Sequence, residues 1–414
     1  MNTIIENPDK NIWNELIKRA LVNQNDLTSL VTSILEEVKN NGDQALISFS
    51  EKFDKLKLNT LIDNRDVEDL KISDSLKVAI NRAKNNIEIF HKAQIRKNLE
   101  LETEKGVFCS VESRAIESVG LYIPGGTAPL FSSLLMLGIP AKIAGTKNIV
   151  VCSPPNANGE VNDVIRYVAS LLDIKNVYTI GGAQAIAAMA YGTNTVPKVN
   201  KIFGPGNSFV NTAKKLIQAS GEIAIDLPAG PTELLIVADK FANSDFIAAD
   251  ILSQIEHGVD SQVIILSTSK EILIDSKKSE ITKKAIKNCK FILFNDLETA
   301  FNFSNLYAPE HLILALENAV NYKNAILSAG SVFLGNYSAE SFGDYASGTN
   351  HTLPTDGAAR MYSGVNLDSF QKQITFQEIS IQGLKNLGAT VMELAKKEKL
   401  EGHSYAVEVR LNNV

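Results

Sequence analysis

The chain has 414 residues, 44% of them hydrophobic and 21% charged, with a formal net charge of −6. That length exceeds one small core, so two or more domains are expected. An acidic balance with no basic block argues against nucleic acid and anionic membranes as partners.

The opening Met-Asn-Thr-Ile-Ile-Glu lacks the basic-then-apolar layout of a secretion signal. Residues 1 to about 110 read mostly as helix. Leu27, Val31, Ile34, Leu35 and Val38 follow helical spacing, and Ala79, Ala83, Ile87 and Phe90 do so again. Ser118 to Ala141 contains no charged residue and is long enough to span a bilayer. Pro124, Gly125, Gly126, Pro129, Gly138 and Pro140 instead divide it into a strand, a glycine turn and a short buried helix.

Short apolar runs follow, each ending at Gly, Pro or Ser: Val119-Gly-Leu-Tyr-Ile123, Ile149-Val-Val-Cys152, Val177-Tyr-Thr-Ile180 and Lys201-Ile-Phe203. Helical patterns between them predict a parallel sheet with flanking helices. A second series comprises Glu233-Leu-Leu-Ile-Val237, Gln262-Val-Ile-Ile-Leu266, Phe291-Ile-Leu-Phe294, Leu312-Ile-Leu314 and Ser331-Val-Phe-Leu334. Two Rossmann-like α/β domains are the simplest architecture. From about Asp368 the chain reads as helical, ending in a tail from His403 to Val414. Cys109, Cys152 and Cys289 lie far apart with no CxxC pair, which fits buried, reduced thiols in a cytoplasmic protein.

The chemistry gathers where histidine does. Only five histidines occur. His257 lies in Gln254-Ile-Glu-His257, His311 follows a carboxylate in Ala308-Pro-Glu-His311, and His351 closes Gly343-Asp-Tyr-Ala-Ser-Gly-Thr-Asn-His351. His403 is near the end, and His91 stands alone in a polar helix. Residues 243–258 read as a helix capped by Asn243 or Ser244 and closed by Gly258. Gln254 and His257, three apart in its last turn, can reach one point and hold a metal; the plainer reading sets His257 against the helix C-terminus. Glu310 and His311 can act as two separate bases, or form a solvated loop. Asp344 and His351 flank a turn-forming stretch that suits a ligand loop, or an Asx turn with a surface histidine.

Three glycine turns follow predicted strands: Pro124-Gly-Gly-Thr127, Gly181-Gly-Ala-Gln184 and Gly204-Pro-Gly-Asn207. Each brings backbone N–H groups to a helix start, where a phosphate can bind, or is a tight turn alone. None is a dinucleotide fingerprint, yet their co-occurrence favours a nucleotide. Asp226 to Glu233 reads as a hinge whose Thr232 hydroxyl can contact a ligand.

Taken in order, these stretches resemble the histidinol dehydrogenase family along almost the whole chain. The resemblance is carried by 119–129, 181–186, 202–207, 226–233, 253–258, 308–312, 343–351 and the ending Gly402-His-Ser-Tyr-Ala406. It implies oxidation of L-histidinol to L-histidine through histidinaldehyde, the last two steps of histidine biosynthesis, with two NAD and one zinc per subunit. It further implies Gln254, His257, Asp344 and His403 as zinc ligands, and Glu310 and His311 as the acid–base pair. Thr232, His351 and Glu398 would contact substrate together with His311 and the metal ligands. Tyr122, Gln184 and Asn207 would contact NAD. Thr232 stands where serine is usual, and Asn336 where aspartate is common, so Asn336 receives no role. The family's homodimer implies that Glu398 and His403 serve the partner's site.

The expected partition is a helical segment 1–20, a first α/β domain from 21–121 and 234–366 carrying the zinc and catalytic residues, a second α/β domain 122–233 carrying the NAD contacts, and a helical tail 367–414 reaching the partner. Rival readings are a sister dehydrogenase acting on another small alcohol, a zinc hydrolase with Glu310 activating water, and a non-catalytic metal-binding regulator.

Overall fold

The computed structural model describes residues 3–19, 25–125, 129–227, 230–258 and 260–414. Of the motifs above, Gly126, Thr127, Ala128, Pro228 and Ala229 lie outside the described residues. In chain order the strands are β1 (Ile5–Glu6), β2 (Leu99–Glu104), β3 (Val107–Ala115), β4 (Ser118–Tyr122), β5 (Asn148–Cys152), β6 (Asn176–Tyr178) and β7 (Lys201–Phe203). They continue as β8 (Ala224–Ile225), β9 (Glu233–Ala238), β10 (Gln262–Ser267), β11 (Cys289–Leu293), β12 (His311–Ala315), β13 (Ser331–Leu334) and β14 (Gln371–Ile379).

Two parallel sheets form the body. One runs β6-β5-β4-β7-β8 and the other β1-β11-β10-β9-β12-β13. Parallel strands buried on both faces read as unbroken apolar runs, which is why both series were visible in the sequence. In the larger sheet Leu235, Val237, Ile264, Leu266, Leu312 and Leu314 enter one core with Trp13, Phe301 and Phe303. Their neighbours Leu234, Ile236, Val263, Ile265 and Ile313 enter the opposite core with Ile247 and Ile251. The five-stranded sheet divides likewise. Val119, Leu121 and Val151 face the buried helix Phe131–Ala144, while Val150, Cys152 and Ile202 face helix Gly182–Tyr191. No helix of the described residues is long and apolar enough to cross a membrane.

The observed packing differs from the expected partition. Helices Asn25–Asn41 and Asp74–Lys92 pack on the helices that cover the five-stranded sheet, through Val31, Ile34, Leu35 and Val38 against Gly182–Tyr191 and Ser208–Ala219 on one side and Ile80, Ala83 and Ile87 against Phe131–Ala144 on the other. These two helices therefore share their cores with the five-stranded sheet and not with the sheet of 234–366. β4 belongs wholly to the five-stranded sheet, so a boundary at 121/122 cuts it. The first 20 residues are not only helical: β1 pairs with β11, and Trp13 completes the core of the larger sheet. An amphipathic stripe fixes that a face is buried, not which sheet receives it. His91 belongs to such a stripe. It is buried, with Nδ1 2.9 Å from the Ile87 carbonyl.

A third, antiparallel sheet, β14-β3-β2, was not anticipated. It replaces helix both before residue 110 and after residue 367; the C-terminal part becomes helical only from Ile381–Lys397 and Glu401–Leu411. Cys152 and Cys289 are buried thiols as expected, whereas the Cys109 thiol, on β3, is only half-buried.

Each parallel sheet reverses its strand order at one point, between β4 and β7 in one and between β9 and β12 in the other. Clefts open at such switch points. Here the carboxyl ends of β4 and β7 face the amino ends of β9 and β12 across one cavity of about 1110 Å³. Its wall includes Pro124 and Gly204 to Asn207 from one side and Thr232, Glu310 and His311 from the other.

Candidate functional site

The acid–base residues stand where β12 begins. Helix Leu297–Tyr307 ends with Ala308 in the left-handed region, at φ 54°, and Pro309 turns the chain into the strand. Glu310 and His311 are thereby buried at the strand's amino end, not in a solvated loop. β9 lies alongside and supplies their anchors. The Glu233 N–H donates to Glu310 Oε2 at 3.0 Å, and His311 Nδ1 lies 3.3 Å from the Glu233 carbonyl oxygen.

Thr232 sits at the centre of a relay. Its hydroxyl donates to Glu310 Oε2 at 2.6 Å and accepts from Gln254 Nε2 at 2.9 Å. Gln254 is fully buried in helix Ser244–Ile255, whose start Asn243 caps through the N–H groups of Asp245 and Phe246. That helix stops at Ile255, so His257 lies in the turn beyond it and is exposed. Asp344 occupies a short helix, Glu340–Tyr345, where a loop was expected.

Glu340 opens the same helix and completes a cluster. Ligand atoms of His257, Glu340 and Asp344 all lie within 4.8 Å of one another. Glu340 is 1% exposed, yet among the described residues neither of its carboxylate oxygens has a hydrogen-bond partner, and Gln254 Oε1 has none. Buried oxygens without partners are costly unless a cation or ligand satisfies them. Sequence reasoning passed over Glu340. The available signal was its spacing of four from Asp344, which places both on one helix face.

His311 stands among three carboxylates: Nδ1 is 3.6 Å from Glu340 and 3.7 Å from Glu310, and Nε2 is 3.7 Å from Asp344. Burial alone would lower its pKa, but Glu340, Glu310 and Asp344 outweigh it and hold the imidazole well above its ordinary value. Burial pushes Glu310 above the usual carboxylate range, against the pull of His311 and the Thr232 hydroxyl. Burial raises Glu340 as well, and neighbouring Asp344 adds to it against the pull of His311. For Asp344 burial is overcome by the hydrogen bond and charge of His311, which hold it low.

His351 ties the two halves together. Its Nδ1 lies 2.8 Å from the Asp344 carbonyl, and its Nε2 is 3.1 Å from Ser133 Oγ on the first helix after β4.

The opposite wall is built on the turn after β7. A Cβ on Gly204, which has φ +130°, would collide with the Tyr122 carbonyl. Lys214, buried, donates to the Gly204 carbonyl at 2.9 Å and pairs with Asp226 at 2.5 Å; Asp226 accepts the Gly204 N–H at 2.8 Å. Asn207 caps helix Ser208–Ala219 and faces the cavity. Tyr122 and Gln184 are buried behind this edge, the Tyr122 hydroxyl accepting the Gly182 N–H at 3.2 Å. Glu398, in the turn between the two C-terminal helices, and His403, on the last helix, are exposed and line no part of the cavity. Asn336 has a structural task, donating to the Phe241 carbonyl at 3.0 Å.

A turn-rich strand edge facing buried acid–base groups across one cavity is the arrangement of an oxidoreductase. Comparison with known proteins narrows this. Residues 17–411 match the family described as histidinol dehydrogenase. The chain is 48% identical over 428 residues to the histidinol dehydrogenase of Bacteroides thetaiotaomicron, covering 100% of both chains. It is 48% identical over 426 residues to that of Pasteurella multocida, covering 97% of this chain and 98% of the other. The crystal structure of histidinol dehydrogenase from Elizabethkingia anophelis superposes with a TM-score of 0.96 at 49% identity, covering 100% of this chain and 98% of that one. The chain belongs to the histidinol dehydrogenase family of oxidoreductases.

Proposed function

We propose that the protein oxidises L-histidinol to L-histidine through histidinaldehyde, with two NAD and one zinc per subunit, as the last two steps of histidine biosynthesis. The observation that carries this reading is the single cavity joining the Gly204 turn to the Thr232–Glu310–His311 array and the His257–Glu340–Asp344 cluster.

The residues fit a metal. Unpartnered buried oxygens on Gln254 and Glu340 adjoin nitrogen and carboxylate donors of the types zinc takes. Gln254, His257, Asp344 and the partner subunit's His403 would hold it. Bound there, zinc would supply a fixed positive charge that orients the substrate's amino and imidazole nitrogens. NAD would accept hydride at the other wall, with Asn207 at a helix N-terminus and Tyr122 and Gln184 supporting the turns.

His311 takes the hydroxyl proton of the alcohol as the first hydride leaves. The Glu233 carbonyl beside Nδ1 fixes the orientation of its ring, so that in the neutral imidazole Nε2 is the nitrogen that takes the proton. Glu310 then takes a proton from water as the water adds to the aldehyde carbon, and the protonated His311 returns its proton to the aldehyde oxygen, giving the hydrate with His311 neutral again. Burial supports this by raising Glu310's affinity for a proton, while the Thr232 hydroxyl and Glu233 N–H keep the carboxylate aimed. His311 removes the hydrate's hydroxyl proton as the second hydride leaves. Enclosure between the sheets protects the aldehyde from side reactions.

Glu398 and His403 act across a homodimer interface in this reading. Supporting it, the C-terminal region exposes Phe376, Ile379, Leu394 and Tyr405, and β2 exposes Leu99 and Leu101, an apolar display suited to a second copy. Cysteines present as thiols suit the reducing cytoplasm. Steady-state NAD reduction tests the substrate assignment: turnover with L-histidinol far above that with other small amino alcohols supports it. A higher kcat/KM with another alcohol points to a sister dehydrogenase, and NAD-independent ester cleavage points to the hydrolase.

A further inference from the structure

We infer that Arg19, in the N-terminal arm, is a positioning residue that sets the register of Glu310 and His311. The inference rests on the reaction proposed above. Arg19 reaches the start of β9 and the end of the helix that leads into β12. Its Nε and Nη2 fork onto the Glu233 carboxylate, with Nη2 2.8 Å from Oε2. The same Nη2 donates to the Tyr307 carbonyl at 2.8 Å, and the guanidinium lies 4.2 Å from the centre of the Tyr307 ring.

Both contacts lead directly to the acid–base pair. Glu233 is the residue whose N–H holds Glu310 and whose carbonyl holds His311. Tyr307 is the last residue of its helix, three before Glu310, and only the left-handed Ala308 and Pro309 separate them. A shift of either strand start would move both side chains together. The Glu233 side chain is 3% exposed and also accepts the Asp356 N–H at 2.8 Å. Its carboxylate is thus a buried junction between the N-terminal arm, β9 and the loop before β14.

The fork explains why arginine stands here. A lysine would keep the charge but cannot span two carboxylate oxygens, a carbonyl and a ring face with one planar group. The guanidinium touches none of the proposed metal ligands, so its contribution is to geometry. Misplacement of reacting groups by about 1 Å costs on the order of a hundredfold in rate.

The experiment uses the full-length enzyme loaded with zinc, with kcat counted per zinc-bearing folded site. In Arg19→Lys and in Glu233→Gln we expect kcat to fall about ten- to hundredfold with KM for L-histidinol and NAD little changed. Both half-reactions should slow, because Glu310 and His311 move together. In Arg19→Ala, free guanidinium well below denaturing concentration should restore part of the rate, and ammonium should not. Lowered thermal stability with wild-type kcat per folded site in the two conservative variants would reduce Arg19 to a structural tie and overturn the inference. If Arg19→Ala does not fold, Arg19→Lys and Glu233→Gln still decide the matter. Failure of the wild-type enzyme to reduce NAD with L-histidinol would instead overturn the proposed reaction itself.

Discussion

Replacing Thr232 with valine should cripple the second half-reaction more than the first. The Thr232 hydroxyl donates to Glu310 Oε2 at 2.6 Å, and the Glu233 N–H is the other donor to that oxygen. Valine has nearly the same shape and deletes one of these two donors. A hydrogen bond to a charged group contributes about 1.5–3 kcal/mol. One pKa unit corresponds to about 1.4 kcal/mol, so Glu310 should rise by about 1–2 units. The sign follows from the environment: burial already raises Glu310, and the Thr232 hydrogen bond opposes that rise. Removing it raises the pKa further, so the ionised base appears only at higher pH. The assay is the pH–rate profile of histidinaldehyde oxidation, whose acidic limb should move upward, while Thr232→Ser leaves it in place. An acidic limb unmoved in Thr232→Val would refute the role given to the hydroxyl.

Other outcomes follow from the same geometry. Glu310→Gln should slow histidinol oxidation more than the first single-turnover hydride transfer, whereas His311→Ala should slow both; proton-transfer groups typically contribute about 10²–10⁴-fold, and equal losses for Glu310→Gln would count against the division. Asp63 is buried against Arg65, whose Nη2 donates to it at 2.7 Å, and Asp63→Asn should lower the unfolding free energy by about 2 kcal/mol in a urea titration. Burial raises the Asp63 pKa, but Arg65 and backbone N–H groups outweigh this and hold it below its ordinary value. Its stabilisation is therefore fully present above the unfolded-state pKa and lost as pH falls through the depressed folded value, so the wild-type and Asp63→Asn stabilities should converge in acid. Mixing His403→Ala with His311→Ala chains, each inactive alone, should restore roughly a quarter of wild-type activity if His403 serves the partner's site; no recovery with mixed dimers verified by native mass spectrometry would refute the sharing.

What the sequence disclosed depended on burial. β9 to β13 were legible because strands covered on both faces need apolar residues at nearly every position, as in Leu234 to Val237 and Val263 to Leu266. β2 and β14 were not, because their residues are almost all exposed in this chain. The alternation in Leu99-Glu-Leu-Glu102 was nonetheless a period-two signal. Helix 25–41 showed its apolar stripe but not the sheet that would receive it. Within the site, scarce histidines beside carboxylates drew attention to His257, His311 and Asp344, and in the structure both histidines lie beside Asp344. Glu340 and Arg19 escaped notice because their significance lies in contacts made across the fold, to His311 and to Glu233.

The central claim is a four-electron oxidation in one cavity, and the count of NADH formed per L-histidinol consumed by the zinc-loaded enzyme tests it most directly. Two NADH with L-histidine as the sole product are expected. One NADH with histidinaldehyde released would contradict the claim and leave a simple alcohol dehydrogenase.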